Sequence, residues 1–248
     1  MTTVVIMQPT FLPWLGYFGL IELADQFVFL DDVQFSKQSW QSRNRIRGQK
    51  GEIQTLSLSV ARKPSKPLIN EARLADTGFE RGLLQNLRAS YAKSGFGELA
   101  HSLTAEAFRS AGQSLCDLNI EFITQMSRVC GLSTTFHRSS ELGLKEFQRS
   151  DRLEEITRAL GGDTYLSPIG SIDYLRADRA FKQSDINLRF INFDHPIYPQ
   201  GNFEFQPYLS VVDALAHVGP AGIKPLLKAG TGPHLTMDEL WRRMNEQL

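Results

Sequence analysis

The chain has 248 residues, 42% hydrophobic, 10% aromatic and 22% charged, which excludes a disordered tail, a collagen-like repeat and a coiled-coil rod. Its 27 basic residues balance 27 acidic ones, so the molecule as a whole is not built electrostatically for nucleic acid or an anionic membrane surface. The length suits one α/β domain over residues 1–248 with a substantial core. The uncharged apolar runs fall far short of a bilayer span, and Met1 leads into a strand pattern with no basic leader. A cytoplasmic protein without a membrane partner is expected. Cys116 and Cys130 lie in helical patterns and make neither a disulfide framework nor a zinc site.

Thr3 to Met7 reads as an apolar strand stopped by Pro9, and Pro13 suits the first turn of a helix. Trp14, Phe18, Ile21 and Ala24 recur at helical spacing, and Phe27 to Leu30 is a second strand ending at Asp31-Asp32. Together these make a Rossmann-like βαβ unit. Gln34 to Lys50 reads as a polar, basic loop, and Thr55 to Val60 alternates as a half-buried strand. Phe79, Leu83, Leu87 and Tyr91, then Leu115, Leu118, Phe122 and Met126, are helical stripes, so residues 79–131 can form a helical insertion. Ser150 is placed to cap a helix carrying Leu153, Ile156 and Leu160. Thr164–Leu166 and Leu188–Phe193 are strands, Ser210 opens a helix that Gly219 ends, and Thr236 with Glu239 forms a capping box. Alternating strands and helices predict an α/β fold, with a mixed or mainly parallel sheet and helices on both faces.

Chemistry concentrates at strand ends, where ligands sit in such folds. From Lys37 to Lys66 eight cations (Lys37, Arg43, Arg45, Arg47, Lys50, Arg62, Lys63 and Lys66) face one acid, Glu52. Trp40 and Asn44 interleave with the charges, a mixture suited to a phosphorylated, hydroxyl-rich ligand. Lys37 and Arg43 would grip a diphosphate and Trp40 would stack on a ring. Gln8, at the first strand exit, either reads a ligand or satisfies a neighbouring backbone group. Asp32 is a candidate for orienting hydroxyls, taking a proton or holding Mg²⁺; its bland alternative is a surface ion pair. His195, in Phe193-Asp194-His195-Pro196-Ile197-Tyr198-Pro199-Gln200, titrates near neutrality and is the best placed of five histidines for proton transfer, unless it only bonds nearby backbone. Ser167, Ser171 and Tyr174 can line a pocket wall, while Asp213 is explained by helix capping after Ser210. No metal-ligand spacing is present, and the sequence assigns no cofactor.

Thr10, Phe11, Pro13 and Gly16 resemble the nucleotidylyltransferase signature in type and order. Leu12 replaces its acid and Tyr17 its last histidine, so the likeness speaks to fold alone. A fuller resemblance is carried by QPTFLPWLGYFGLIELADQFVFLDDVQFSKQSWQSRNRI, YLSPIGSIDYL and HPIYPQGNFEFQPYLSVVDALAHVG, which together look like the WbqC-like protein family. The Arg62-Lys63-Pro64-Ser65-Lys66 stretch departs from the likeness. The resemblance implies surface-polysaccharide, O-antigen-type biosynthesis, beside enzymes making nucleotide-linked amino sugars. It carries no catalytic set, and reaches Gln8, Asp32, Lys37, Trp40, Arg43, Asn44, His195, Tyr198 and Gln200 as motif positions only.

Residues and resemblance together lead to an expected transferase placing an acyl or aminoacyl group on the amine of a nucleotide-linked amino sugar. His195 and Asp32 are its catalytic candidates. Gln8, Lys37, Trp40, Arg43, Asn44, Tyr174, Tyr198 and Gln200 are its binding candidates. The partner is then an anionic small molecule rather than nucleic acid, with a homo-oligomer open. Two alternatives stand beside it: a nucleotidyl- or phosphoryl-transferring enzyme with a metal on Asp31 or Asp32, and a sugar-nucleotide-binding accessory protein without catalysis.

Overall fold

Strand β1 (Thr3–Met7) turns Val5 to one face and Val4 and Ile6 to the other, and all three are buried. Burial on both faces is the mark of a parallel strand covered by helices front and back. The computed structural model, which describes residues 1–62 and 64–246, has that arrangement. Helix α1 (Leu15–Leu23) returns the chain to β2 (Gln26–Phe29), which lies parallel to β1 with Val5 opposite Phe27. The expected βαβ unit is therefore present.

The chain then leaves the sheet. Within the segment expected to be loop, β3 (Arg43–Arg47) pairs antiparallel with β4 (Ile53–Ser57) in a separate hairpin. Alternating arginines hide this strand from a hydrophobic reading, because only Asn44 and Ile46 mark its inner face. Helices α2 (Phe79–Ser90), α3 (Gly97–Ala111) and α4 (Leu115–Val129) follow. They fill the expected 79–131 insertion, and they share one hydrophobic cluster with α1 and the sheet.

Strand β5 (Thr135–Arg138) rejoins the sheet beside β2. Helix α5 (Arg149–Ala159), strand β6 (Thr164–Ser167), the short α6 (Ile172–Ala177) and strand β7 (Asn187–Phe193) come next. Ser150 lies inside α5 rather than at its cap, and its hydroxyl bonds Asp178 instead. Helix α7 (Val211–Gly230) begins at Ser210, whose Oγ accepts from the Val212 N–H. Gly219 interrupts it at φ 68° and a second helical stretch continues from Pro220, so the expected stop is a kink. Strand β8 (Thr231–Leu235) pairs antiparallel with β7, and α8 (Met237–Glu246) follows the Thr236–Glu239 capping box.

The order β5-β2-β1-β6-β7-β8 makes a six-stranded sheet, parallel except for β8. Helices α1, α4 and α7 cover the Val5, Phe27 and Leu166 face, while residues of α5, α6 and α8 cover the Val4, Val28 and Tyr165 face. This is the doubly wound arrangement, with its switch point between β1 and β6. Among the described residues, no helix is long and apolar enough to cross a membrane.

Candidate functional site

Because five strands run parallel, their carboxyl ends share one edge. That edge carries Gln8 after β1, Asp31-Asp32 after β2, Ser139-Ser140 after β5, Ser167 at the end of β6 and Asp194-His195 after β7. At the β1 exit lies a cavity of about 320 Å³ whose lining includes Met7, Trp14, Trp40, Asn44, Arg45 and Tyr208. Helix α1 points its N-terminus there from Trp14, with no side-chain cap and no acid in its first turn. The Arg45 guanidinium lies 6.0 Å from the Trp40 ring, and its buried Nε has no partner among the described residues. Aromatic walls, one cation and a helix N-terminus suit a flat ring joined to an anionic group.

Neighbouring loops hold this cavity open through polar clamps. Asn44 Nδ2 donates to the carbonyls of Phe11 (3.1 Å) and Leu12 (2.9 Å), fixing Leu12 at φ 43°, where a leucine is strained. Asn119 of α4 donates to the carbonyls of Pro9 and Gln41, and Gln41 Nε2 donates to Gln8 Oε1 at 2.8 Å. Asn44 and Gln8 thus brace the walls. Asn119 escaped the sequence reading because an amide inside a helical stripe carries no pattern of its own.

On the β2 side the two acids are fully engaged. Asp31 accepts from Ser140 N and Oγ, with the Ser139 Oγ 3.1 Å from its carboxylate. Asp32 accepts from Arg152 Nη2 at 2.6 Å and from Ser139 Oγ at 2.5 Å, an ion pair well inside the protein. Burial pushes the Asp32 carboxyl up, but the bonds from Arg152 and Ser139 and the Arg152 charge outweigh it and hold it below the ordinary value. A carboxylate so held is a weak proton acceptor and a poor Mg²⁺ ligand. Among the described residues no group of three or more His, Cys, Asp or Glu is placed to hold a metal.

On the β7 side, His195 sits behind the cavity rather than in it. Its ring stacks on Trp14 (6.1 Å between centroids, 21° between planes) and contacts Tyr208 and Phe205 at 5.5 Å. Nδ1 faces the Pro196 carbonyl at 3.1 Å, which assigns the proton to Nδ1 and leaves the buried Nε2 as a lone pair without a partner among the described residues. Burial pushes the imidazole down against the opposing effects of that carbonyl and Asp213, favouring the neutral ring.

Tyr198 and Gln200 face a different interior. Tyr198 and Tyr91 each donate a hydroxyl to the buried Asp213 at 2.9 Å. Asp213 is therefore the acceptor of two tyrosines, not the helix cap expected of it. Burial raises its carboxyl, and the two hydroxyls and the His217 and Arg47 charges work against that rise. Gln200 bonds Arg47 Nη2 and both backbone groups of Gln206, pinning the 196–208 loop. Tyr174 lies on α6 beside the Tyr165 hydroxyl, away from the tryptophan cavity. Ser167 and Ser171 bond each other at 2.6 Å.

The eight cations do not share one hollow, although the pair expected to grip a diphosphate stands together, apart from Trp40. Lys37 and Arg43, with Arg62, border a separate cleft of about 420 Å³. Arg45 reaches the tryptophan cavity, Arg47 is buried, and Lys50 and Lys66 are exposed. Lys63 lies outside the described residues. The reason is β3: a strand advances about 3.4 Å per residue, so Arg43, Arg45 and Arg47 reach successive hollows.

No solved structure matches the chain. It is 28% identical over 222 residues to the uncharacterized protein Rv1507c of Mycobacterium tuberculosis (strain ATCC 25618 / H37Rv), covering 88% of this chain and 95% of that one. A family model matches residues 8–225, which takes in the β1 exit, the β3–β4 hairpin, the β7 exit and the start of α7. By that match, the chain belongs to the WbqC-like protein family.

Proposed function

We propose that the protein binds a nucleotide-linked amino sugar in surface-polysaccharide biosynthesis and transfers an acyl or aminoacyl group to its amine. The observation that carries this reading is the tryptophan cavity at the β1 exit, where Trp14, Trp40 and Arg45 meet the N-terminus of α1. The base or sugar ring would lie against Trp40, with the diphosphate toward Arg45 and the helix end. In the reaction the amine nitrogen bonds the carbonyl carbon of an acyl thioester, the thiolate leaves, and the amine proton passes to a base. His195 is proposed for that role on account of its neutral ring and unpartnered Nε2, reached when the Trp14 ring shifts aside. Asp32 is not given it, since Arg152 already holds its carboxylate.

A thermal-shift screen over nucleotide sugars tests the binding step. A ligand at one hundred times its Kd adds about 2.7 kcal/mol of apparent stability, and Trp40→Ala is expected to abolish that shift. Absence of a shift with every nucleotide-linked sugar overturns the reading. Mass spectrometry of mixtures with acyl thioesters tests the transfer, and His195→Ala is expected to lower kcat about 10²- to 10⁴-fold with little change in KM. A second reading is a sugar-nucleotide-binding accessory protein. It is favoured by the cavity lining, in which no described residue is a carboxylate or histidine. Binding without any acylated product would support it.

A further inference from the structure

A second cavity, of about 730 Å³, opens between the β3–β4 turn, the turn after α2 and the 200–203 loop. Arg47, Tyr91, Lys93, Gln200, Asn202 and His217 supply polar groups to its wall, and no described lining residue is a carboxylate. Arg47 is the informative member. It is only 7% exposed, and its Nη atoms bond neutral acceptors alone: the carbonyls of Gly51 and Glu204 and the amide oxygen of Gln200. Its buried Nε has no partner among the described residues. The Phe203 ring lies 5.5 Å from the guanidinium carbon. Asp213, nearby, is turned to Tyr91 and Tyr198.

A guanidinium carries its charge throughout the physiological range; Asp213 acts on it through space without bonding it, and a buried charge bonded only to neutral acceptors is stabilised further when an anion joins it. Lys93 adds a second cation on the same wall. The cavity has room for more than a bare ion. Ala89 and Ser90, the last residues of α2, border it with Tyr91 and Ala92, and the carbonyls at a helix C-terminus lack intrahelical donors and can accept from hydroxyl groups. We propose that this cavity is a second binding site, distinct from the tryptophan cavity, for a small hydroxylated oxyanion of the sugar-phosphate class. The inference does not depend on the nucleotide-sugar reading, because the two cavities share no lining residue.

Isothermal titration with glucose 1-phosphate, inorganic phosphate and glucose tests it. Saturable binding is expected for glucose 1-phosphate, weaker binding for phosphate and none for glucose. Arg47 clips three segments together, so its replacement would confound folding with binding. Gly95 borders the cavity, and a Cβ there would meet nothing within 4 Å, so Gly95→Glu adds a negative charge without a backbone clash. Gly95→Glu and Lys93→Gln are each expected to weaken glucose 1-phosphate binding about tenfold, the scale of one charge-assisted contact. Trp40→Ala is expected to leave that binding unchanged. Absence of saturable binding in the millimolar range overturns the proposal. So does loss of binding in Trp40→Ala with none in Gly95→Glu, which would place the ligand in the other cavity.

Discussion

The side chains that shape the carboxyl edge are mostly occupied with one another, and Asp32 shows the consequence best. Its carboxyl is held below the ordinary value by Arg152 and Ser139, so the pair's contribution to stability is complete above the unfolded-state pKa and is lost as pH falls through the folded one. Removing the cation strands a buried charge. Arg152→Met is expected to cost about 3–5 kcal/mol at pH 7. On acidification the stranded carboxylate of the variant, which keeps the burial and loses the cation, takes up a proton at a higher pH than the wild-type pair does. The difference in urea midpoints should therefore narrow, and a gap that widened would refute the pairing. Asp213 works with the opposite sign. Burial raises it, so its ionisation opposes folding as pH climbs through its folded value. Neither environment was legible in the sequence, because Arg152 and Tyr91 approach these acids from more than a hundred residues away and Tyr198 across the loop that precedes α7.

At the level of elements, the Ser210 and Thr236 caps were legible, whereas the expected Ser150 cap, the expected stop at Gly219 and arginine-rich β3 turned out otherwise. Ser210, Thr236 and Glu239 make the caps their spacing suggested, since a cap involves residues three positions apart or fewer. Gly219 is needed twice over in α7: its φ is 68°, and a Cβ there would lie 2.5 Å from the Phe96 ring. Gly219→Ala is thus expected to destabilise by about 1–3 kcal/mol, read as a lowered midpoint in chemical denaturation. Gly222→Ala offers no such control, because its Cβ would press on Val218 at 2.7 Å; Gly82→Ala, with nothing within 4 Å, does. Strand β8 went unread because Gly232 and Pro233 argue against a strand, yet an edge strand accepts proline. Strand β5, at the other edge, is short and only half buried, so its pattern is faint.

For the molecule as a whole, the crossover from β2 to β5 is the distinguishing feature. It carries the β3–β4 hairpin and helices α2–α4, and their apolar residues join the same cluster as α1 and one sheet face. The insertion and sheet should consequently unfold together. Leu87→Ala, at a fully buried position of α2, is expected to cost about 2–5 kcal/mol. Calorimetry should show one transition moving downward, and a second transition that stays in place would show α2–α4 melting separately. The same crossover places Trp40 and Arg45 over the β1 exit, which makes the candidate site a product of the inserted hairpin as much as of the doubly wound sheet.

The βαβ opening, the helical stripes and the Ser210 and Thr236–Glu239 caps were determined by the sequence alone, because each depends on the period and chemistry of neighbouring residues. The likeness to the WbqC-like family was legible in the same way, from runs of adjacent residues. Tertiary structure decided which hollow each of Arg43, Arg45 and Arg47 would enter, that Arg152 would claim Asp32, and that Trp14 would cover His195. Those outcomes depend on how far a strand advances per residue and on contacts between segments remote in the chain, quantities that no local pattern encodes.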